Sequence, residues 1–114
     1  MSEERMVLAV TVDVDPGRDD EFNRWYDEVH VPEIVACEGI HAAWRLRSDD
    51  PEQSPRYVTC YLVDGPEALE TPELRAVRGW GPFEGAVSNY RRLWFRRVGR
   101  LRKEGSQAEE EDRG

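Results

Sequence analysis

Residues 6–14 alternate strictly between two sets of side chains, and this alternation is the feature that most constrains the fold. One set is entirely apolar and comprises Met6, Leu8, Val10, Val12 and Val14. The other set comprises Val7, Ala9, Thr11 and Asp13. Successive side chains of a β-strand point to opposite faces of its sheet. The segment therefore predicts a strand whose first set faces a core.

Alternation and breaker residues predict five further elements. Asp15-Pro16-Gly17 ends the first strand, and a helix is expected from about residue 18 to residue 30. Pro32 either ends this helix or begins a second short one. Residues 40–47 and 56–63 are expected to form a hairpin of two strands. Residues 66–77 are weakly helical with an interruption at Pro72, residues 79–83 resemble a mobile loop, and residues 89–98 predict a last strand.

The order of these elements predicts the fold class. Strand, helix, strand, strand, helix, strand is typical of an α+β, ferredoxin-like βαββαβ fold with an antiparallel sheet and helices on one face. The first strand is expected at the centre of the sheet and the second and last at its edges. The chain of 114 residues fits one domain, residues 1–98, and the charged residues 99–114 are expected to be disordered.

The sheet face opposite the helices is expected to be apolar. The residues assigned to it are Val7, Ala9, Tyr57, Tyr61, Val63, Tyr90 and Trp94. Because large apolar patches usually mark interfaces, this face predicts a homodimer. His41 and Arg45 are expected at the same contact, where Arg45 can pair with Asp13 or, alternatively, bind a carboxylate.

Charge and composition exclude several functions. The formal net charge of −8 opposes binding to nucleic acid or to an anionic membrane. No apolar run approaches the roughly 20 residues of a membrane span, and the acidic start is unlike a signal peptide, so a cytoplasmic protein is expected. Cys37 and Cys60 are expected as buried free thiols. His30 and His41 lack the spacing of a metal site, so we expect no cofactor and no metal. The alternative of a bound haem would need His30 as the axial ligand.

The predicted first helix carries the candidate catalytic residues. Phe22, Tyr26, Val29 and His30 fall on one stripe, with Trp25 at its margin. His30 titrates near neutrality and is the predicted acid or base, with Asp27 or Glu33 orienting its ring. Tyr26 can hold a substrate oxygen. The alternatives are that His30 only balances the negative end of the helix and that Tyr26 is a core residue.

Four further aromatic residues are candidate substrate-binding side chains. They are Trp25, Trp44, Trp80 and Phe83. Trp25 and Trp44 can stack on a planar ligand, and Trp80 and Phe83 lie between glycines and a proline in a segment that can form a flap. Core packing is the alternative explanation for all four.

The run Trp25-Tyr26-Asp27-Glu28-Val29-His30-Val31-Pro32-Glu33, followed by Gly39-Ile40-His41-Ala42-Ala43-Trp44-Arg45, carries a family resemblance. It is similar to the EthD-like branch of the dimeric α+β barrel superfamily, over residues 6–98. The resemblance implies a homodimer with a cavity between helices and sheet, with His30 as the motif histidine, Trp25 and Tyr26 as its aromatic neighbours and Arg45 as the strand arginine. Residues 66–88 contain no motif of that branch.

The resemblance and the residues together lead to one main hypothesis. We expect a small homodimeric enzyme that acts on a hydrophobic aromatic or polyketide-like molecule by cofactor-independent acid/base chemistry, namely cyclisation, isomerisation or decarboxylation. One alternative is a non-catalytic binding or accessory protein of a degradation or biosynthesis pathway. Others are a cofactor-free monooxygenase and a purely structural dimer, which would lack a cavity of roughly 300 Å³ or more beside His30.

Overall fold

Four antiparallel strands form one sheet in the computed structural model, which describes residues 5–99 of the chain. They are β1 (Met6–Val14), β2 (Ile40–Arg47), β3 (Tyr57–Val63) and β4 (Val87–Arg96). Their order in the sheet is β2-β3-β1-β4, with every neighbouring pair antiparallel. The predicted ferredoxin-like α+β fold, with β1 inside the sheet and β2 and β4 at its edges, is confirmed.

The helices are short and lie on one side of this sheet. They are α1 (Asp19–Trp25), a π-helical turn (Tyr26–His30), α2 (Val31–Val35) and α3 (Pro72–Val77). Single 3₁₀ turns occupy Pro16–Arg18, Pro66–Glu70 and Gly81–Phe83. Pro32 lies in the first turn of α2, so the second of the two expected roles of this proline is the observed one.

The last strand and the chain end differ slightly from expectation. β4 begins at Val87, two residues before the predicted start, and ends at Arg96. Apart from Gly99, the predicted disordered tail lies outside the described residues.

The strand register corrects the predicted faces of the sheet. Leu8 lies opposite Tyr61 in β3 and opposite Trp94 in β4. Directly opposed residues share a face, and Leu8 belongs to the core beneath the helices. The outer-face assignment was therefore wrong for these residues, which lie on the helix side: Tyr57, Tyr61, Val63, Tyr90 and Trp94.

Tyr57 shows why alternation alone gave the wrong face for β3. Both sets of side chains in this strand are largely apolar, so the sequence pattern does not distinguish the core face from the outer face. The hydroxyl of Tyr57 is buried but donates to Asp19 at 2.5 Å and accepts from Asn23 at 3.0 Å. Partners on α1 thus satisfy the phenol, and a buried tyrosine becomes stable on the helix side.

A bulge near the start of β2 reverses the predicted faces of that strand. Ile40 pairs with Val63, but Ala42 pairs with the next residue, Leu62, because the register shifts between them. From there Arg45 lies opposite Thr59, on the helix side of the sheet, and Trp44 lies on the outer side. The predicted location of Arg45 on the outer face was therefore wrong.

The outer face remains partly apolar, with a different set of residues. Val7 and Ala9 lie on it as predicted. Trp44, Leu46 and Phe95, on the two edge strands, expose 44%, 51% and 53% of their surface. The helix side, by contrast, holds two buried clusters, one around Leu8 and Leu74 and the other around Phe22 and Tyr57.

Candidate functional site

A cavity of about 240 Å³ lies between the helices and the sheet. Its apolar wall comprises Leu8, Val10, Ile34, Ile40, Leu69 and Leu74. Its aromatic and polar wall comprises Tyr26, His30, Tyr61, Arg78, Trp80, Tyr90 and Arg92, together with the backbone at Gly79. The volume is below the roughly 300 to 1,000 Å³ of ordinary ligand pockets, so by volume alone it agrees with the alternative of a purely structural dimer, and any ligand in it would be a small molecule.

The π-helical turn brings Tyr26 and His30 together at this cavity. The Val31 N–H donates to the Tyr26 carbonyl, five residues earlier, which is the hydrogen bond that defines a π-turn. The two rings meet edge to face with centroids 5.0 Å apart. Because a π-turn holds more residues than an α-turn, Val29 is rotated off the predicted stripe and is 42% exposed. Such turns are frequent at functional sites.

His30 is buried and its ring stacks on Trp25. The centroids are 4.7 Å apart and the planes differ by 17°. Nδ1 is buried without a hydrogen-bond partner among the described residues. The expectation that Asp27 orients this ring is wrong, since Asp27 binds Arg45 instead.

The pKa of His30 is lowered from 6.5 to about 4, mainly by burial and in addition by the positive charge of Arg45. Both effects disfavour the imidazolium. At neutral pH the side chain is therefore an uncharged imidazole, which can accept a proton or a hydrogen bond.

Arg45 approaches the site from β2. Its guanidinium binds Asp27 at 2.8 Å and Asn23 at 3.0 Å, and its central carbon lies 4.3 Å from the centroid of the Tyr26 ring. The bulge in β2 is what places it on this side of the sheet. The predicted pairing with Asp13 was wrong.

Asp13 is instead held by the chain just before β3 and at the start of β4. It accepts hydrogen bonds from the Arg56 backbone N–H at 2.7 Å, from Asn89 at 2.8 Å and from the Ser54 hydroxyl. Hydrogen bonds from Ser54, Asn89 and the Arg56 backbone outweigh the effect of burial and lower the pKa of Asp13. This residue is a structural link and lies outside the cavity wall.

The hydroxyls of Tyr26 and Tyr61 lie within hydrogen-bonding reach of each other, and Thr59 also reaches Tyr26. Burial raises the pKa of both phenols. Both therefore remain protonated donors at neutral pH. Tyr61 was not predicted as a site residue because it had been placed on the other face of the sheet.

The predicted site residues occupy three locations. Tyr26, His30 and Trp80 line the cavity. Trp25 lies behind the His30 ring, and Phe83 packs in the buried cluster with Phe22, their centroids 5.3 Å apart. Trp44 lies on the outer face, so the expectation that it forms a wall beside His30 is wrong.

Three cavity residues were missed in the second half of the chain: Arg78, Tyr90 and Arg92. Tyr90 meets Trp80 edge to face at 5.2 Å between centroids. The alternation of β4 places Tyr90 and Arg92 on the same face as Trp94. This pattern could have identified these two residues as a pair that faces one site. No residue type in the strand predicts that this face is directed toward the helices.

Residues 5–99 contain no group of three or more His, Cys, Asp or Glu side chains that could hold a metal ion. His41 forms a 2.6 Å contact with Asp64 at the start of β2. Cys37 and Cys60 are free thiols, but both are half-buried where full burial was expected. No helix in the described part of the chain has the length and apolar character of a membrane span.

Solved structures of known proteins share this fold. HapK from Hahella chejuensis is 14% identical, with a TM-score of 0.63 over 90% of this chain and 98% of its own. PA3566 from Pseudomonas aeruginosa is 19% identical, with a TM-score of 0.62 over 87% of this chain and 99% of its own. An ethyl tert-butyl ether D (EthD) family protein from Bacillus halodurans is 18% identical, with a TM-score of 0.59 over 82% of this chain and 99% of its own.

The fold is therefore the ferredoxin-like α+β fold that the order of the elements predicts, and an EthD family protein shares it. The model of a family described as Domain of unknown function (DUF4286) matches residues 5–78. The chain belongs to this family. No curated protein matches the chain.

Proposed function

We propose that the protein is an enzyme that converts a small hydrophobic, ring-containing molecule in the cavity by acid/base chemistry without a cofactor. His30 accepts the proton, and Tyr26 donates a hydrogen bond to a substrate oxygen. Cyclisation, isomerisation and decarboxylation are the reactions within reach of these groups, because each needs a proton moved next to an oxygen that gains charge.

One observation carries this proposal: an uncharged, buried imidazole and a protonated phenol meet at the wall of the same cavity. Their rings are 5.0 Å apart and both residues line the space. The low pKa of His30 keeps the imidazole free to accept a proton at neutral pH. The hydroxyl of Tyr26 stays protonated because burial raises its pKa. A neutral base beside a neutral donor is the pairing that this chemistry requires.

The test is a screen of small aromatic and polyketide-like compounds for conversion, read by mass spectrometry. His30→Gln retains a polar side chain but removes the base, so the turnover of any substrate found should fall about 100-fold or more. His41→Gln is the matched control, because His41 lies outside the cavity, and it should retain wild-type turnover. Full activity in His30→Gln would remove the mechanism.

A second candidate function is a carrier or accessory protein that binds the same kind of molecule without converting it. The observation in its favour is also the pKa of His30, since an imidazole with a pKa of about 4 is a weak base. Binding of many ring compounds, seen as shifts of the Trp80 indole signal, without product from any of them would favour the carrier. Oxygen consumption in the same assays would indicate a cofactor-free monooxygenase.

We also propose that two copies of the chain pack through their outer sheet faces. The exposed Trp44, Leu46 and Phe95 support this, because a face with three large apolar side chains usually marks an interface. The two free thiols, Cys37 and Cys60, support a reducing compartment, the cytoplasm, as its location.

A further inference from the structure

We infer that the ligand of the cavity is an anion: a single-ring compound whose carboxylate binds Arg92 and Arg78 while its ring lies against the apolar wall, beside His30 and Tyr26. This inference rests on the cavity being the ligand site of the proposed function. It adds the charge and the size of the molecule that the site accepts.

The charge of the cavity wall is opposite to the charge of the protein. The chain has 24 acidic and 16 basic residues and a formal net charge of −8. Among the described residues, the side chains that line the cavity include two arginines and no carboxylate. In a strongly acidic protein, a cavity that excludes every carboxylate and retains two guanidinium groups favours an anion over a neutral or cationic molecule.

The two lining arginines, Arg78 and Arg92, share a nearby acidic group, Glu70, with a third arginine. Glu70 binds Arg75 at 2.5 Å and lies 3.6 Å from Arg78. The hydrogen bond from Arg75, assisted by the charges of Arg75, Arg78 and Arg92, lowers the pKa of this exposed carboxyl. One carboxylate is thus shared by three cations, which leaves a net positive charge next to the cavity.

Arg92 is the better anchor of the two lining arginines. Arg78 already donates to the Leu69 carbonyl at 3.1 Å, so part of its donor capacity is in use. Arg92 lies on the helix side of β4, opposite Val10 of the apolar wall. A planar guanidinium binds a carboxylate through two parallel hydrogen bonds, and this geometry orients the ring of the ligand as well as retaining it.

The volume restricts the body of the ligand. An apolar cavity of about 150 Å³ is enough for benzene, and this cavity measures about 240 Å³. The space fits one ring with a short acidic substituent. The aromatic neighbours Trp80 and Tyr90 and the leucines of the wall offer such a ring a predominantly apolar environment.

The experiment compares matched acids and amides: benzoate with benzamide, and phenylacetate with phenylacetamide. Affinities are measured by NMR titration on the indole N–H of Trp80, assigned with Trp80→Phe. In the wild type each acid should bind about 10-fold more tightly than its amide, which corresponds to one charge-assisted hydrogen-bonded pair. In the double variant Arg78→Gln, Arg92→Gln this preference should fall to about twofold or less. Arg91→Gln is the matched control, because Arg91 directly precedes Arg92 in β4 but lies on the outer face. This variant should keep the wild-type preference for acids over amides.

The other outcomes separate the inference from the function on which it rests. Equal affinity of acids and amides for the wild type would overturn the anionic ligand and leave a hydrophobic binding site standing. A preference for acids that survives in the double variant would also overturn it, because another cation would then be responsible. Absence of any shift at Trp80 with all four compounds would count against both the inference and the proposed function.

Discussion

Protonation of His30 would place a cation in a buried position that the positive charge of Arg45 already makes unfavourable for a cation. The pKa of His30 is about 4 in the folded protein, against 6.5 for an unperturbed imidazole. Between these two values the unfolded chain binds more protons than the folded one. Stability is therefore lost as the pH falls from about 6.5 to about 4, whereas above 6.5 both states are neutral and this contribution is constant.

The variant His30→Gln should remove this part of the acid sensitivity. Between pH 7 and pH 4.5 the wild type should lose about 2 kcal/mol more of its free energy of unfolding than the variant, because the variant has no imidazole to charge. Urea unfolding at a series of pH values measures the difference. His41→Gln, which removes the exposed histidine, should keep the steeper wild-type loss. Parallel curves for wild type and His30→Gln would contradict the prediction.

Arg45 is predicted to control the charge state of His30 from the neighbouring strand. In Arg45→Met the stem of the side chain is kept and the charge is removed, so the pKa of His30 should rise toward 6.5 without reaching it, because burial, the larger cause, remains. An NMR titration of the Hε1 signals, with the two histidines distinguished by His41→Asn, measures the pKa. Arg47→Met is the control on the same strand. An unchanged pKa in Arg45→Met would show that burial alone is responsible.

How far single residues could be predicted depends on the kind of signal that places them. Tyr26 and His30 were found because they are four positions apart on a helical segment, and this spacing brings two side chains together in an α-turn and in a π-turn alike. Arg45 was misplaced because its face depends on the bulge three to five residues earlier, and no residue type in that run predicts a bulge. Tyr61 was misplaced because its partner hydroxyl belongs to Tyr26, in a distant part of the chain.

At the scale of elements, the segment that follows α3 supports His30 through Trp25. The Gly81 backbone has a φ of +51°, and a Cβ at this position would lie 2.8 Å from Trp25. Trp25 in turn stacks on His30. The glycine thus allows the 3₁₀ turn Gly81–Phe83 to pack closely against the aromatic residue behind the candidate base.

Gly81→Ala should destabilise the protein, because the substitution combines an unfavourable φ with contact against a tryptophan. The expected loss is about 1 to 2 kcal/mol of free energy of unfolding. Thermal or urea unfolding is the measurement. Gly85→Ala provides the control, since a Cβ there meets nothing within 4 Å and no left-handed φ is required. Equal stability of the two variants would mean that Trp25 moves aside without cost.

Element positions were easier to predict than element orientation. Alternation located β1 and β2 to the residue, and breaker residues located the helical segments of the second half. The π-turn was not predicted, because no residue type in Tyr26–His30 distinguishes a π-turn from an α-turn. Val29 was therefore assigned to the buried stripe, although it is exposed. Local sequence specifies where an element lies, whereas tertiary contacts decide which of its faces is buried.

At the scale of the whole molecule, the order of six elements was sufficient to predict the fold, since few topologies accommodate it. The cavity, by contrast, could not be predicted from the order of the elements. It is formed by residues from every part of the described chain between β1 and β4. Its volume and charge depend on the register of three strand pairs, so they could be read only from the structure.

Two copies of the chain are expected to form a dimer through the outer face of the sheet. Trp44→Glu places a charge in the apolar outer face and should convert a dimer into a monomer at micromolar concentration, as measured by light scattering after gel filtration. Val29→Glu is the matched control, because Val29 is equally exposed but lies on the π-turn, away from the outer face. A wild type that is monomeric, or a Trp44→Glu variant that remains dimeric, would contradict the proposed interface.

The bulge between Ile40 and Ala42 has a consequence for changes in chain length. Removing one residue there would shift the rest of β2 by one position, so that Trp44 would turn toward the helices and Arg45 toward the outside. The ligand site would gain an indole and lose a charge, while the outer face would gain a charge and lose an indole. A single deletion at this point would thus change ligand preference and assembly together, an outcome that no single substitution in the strand achieves.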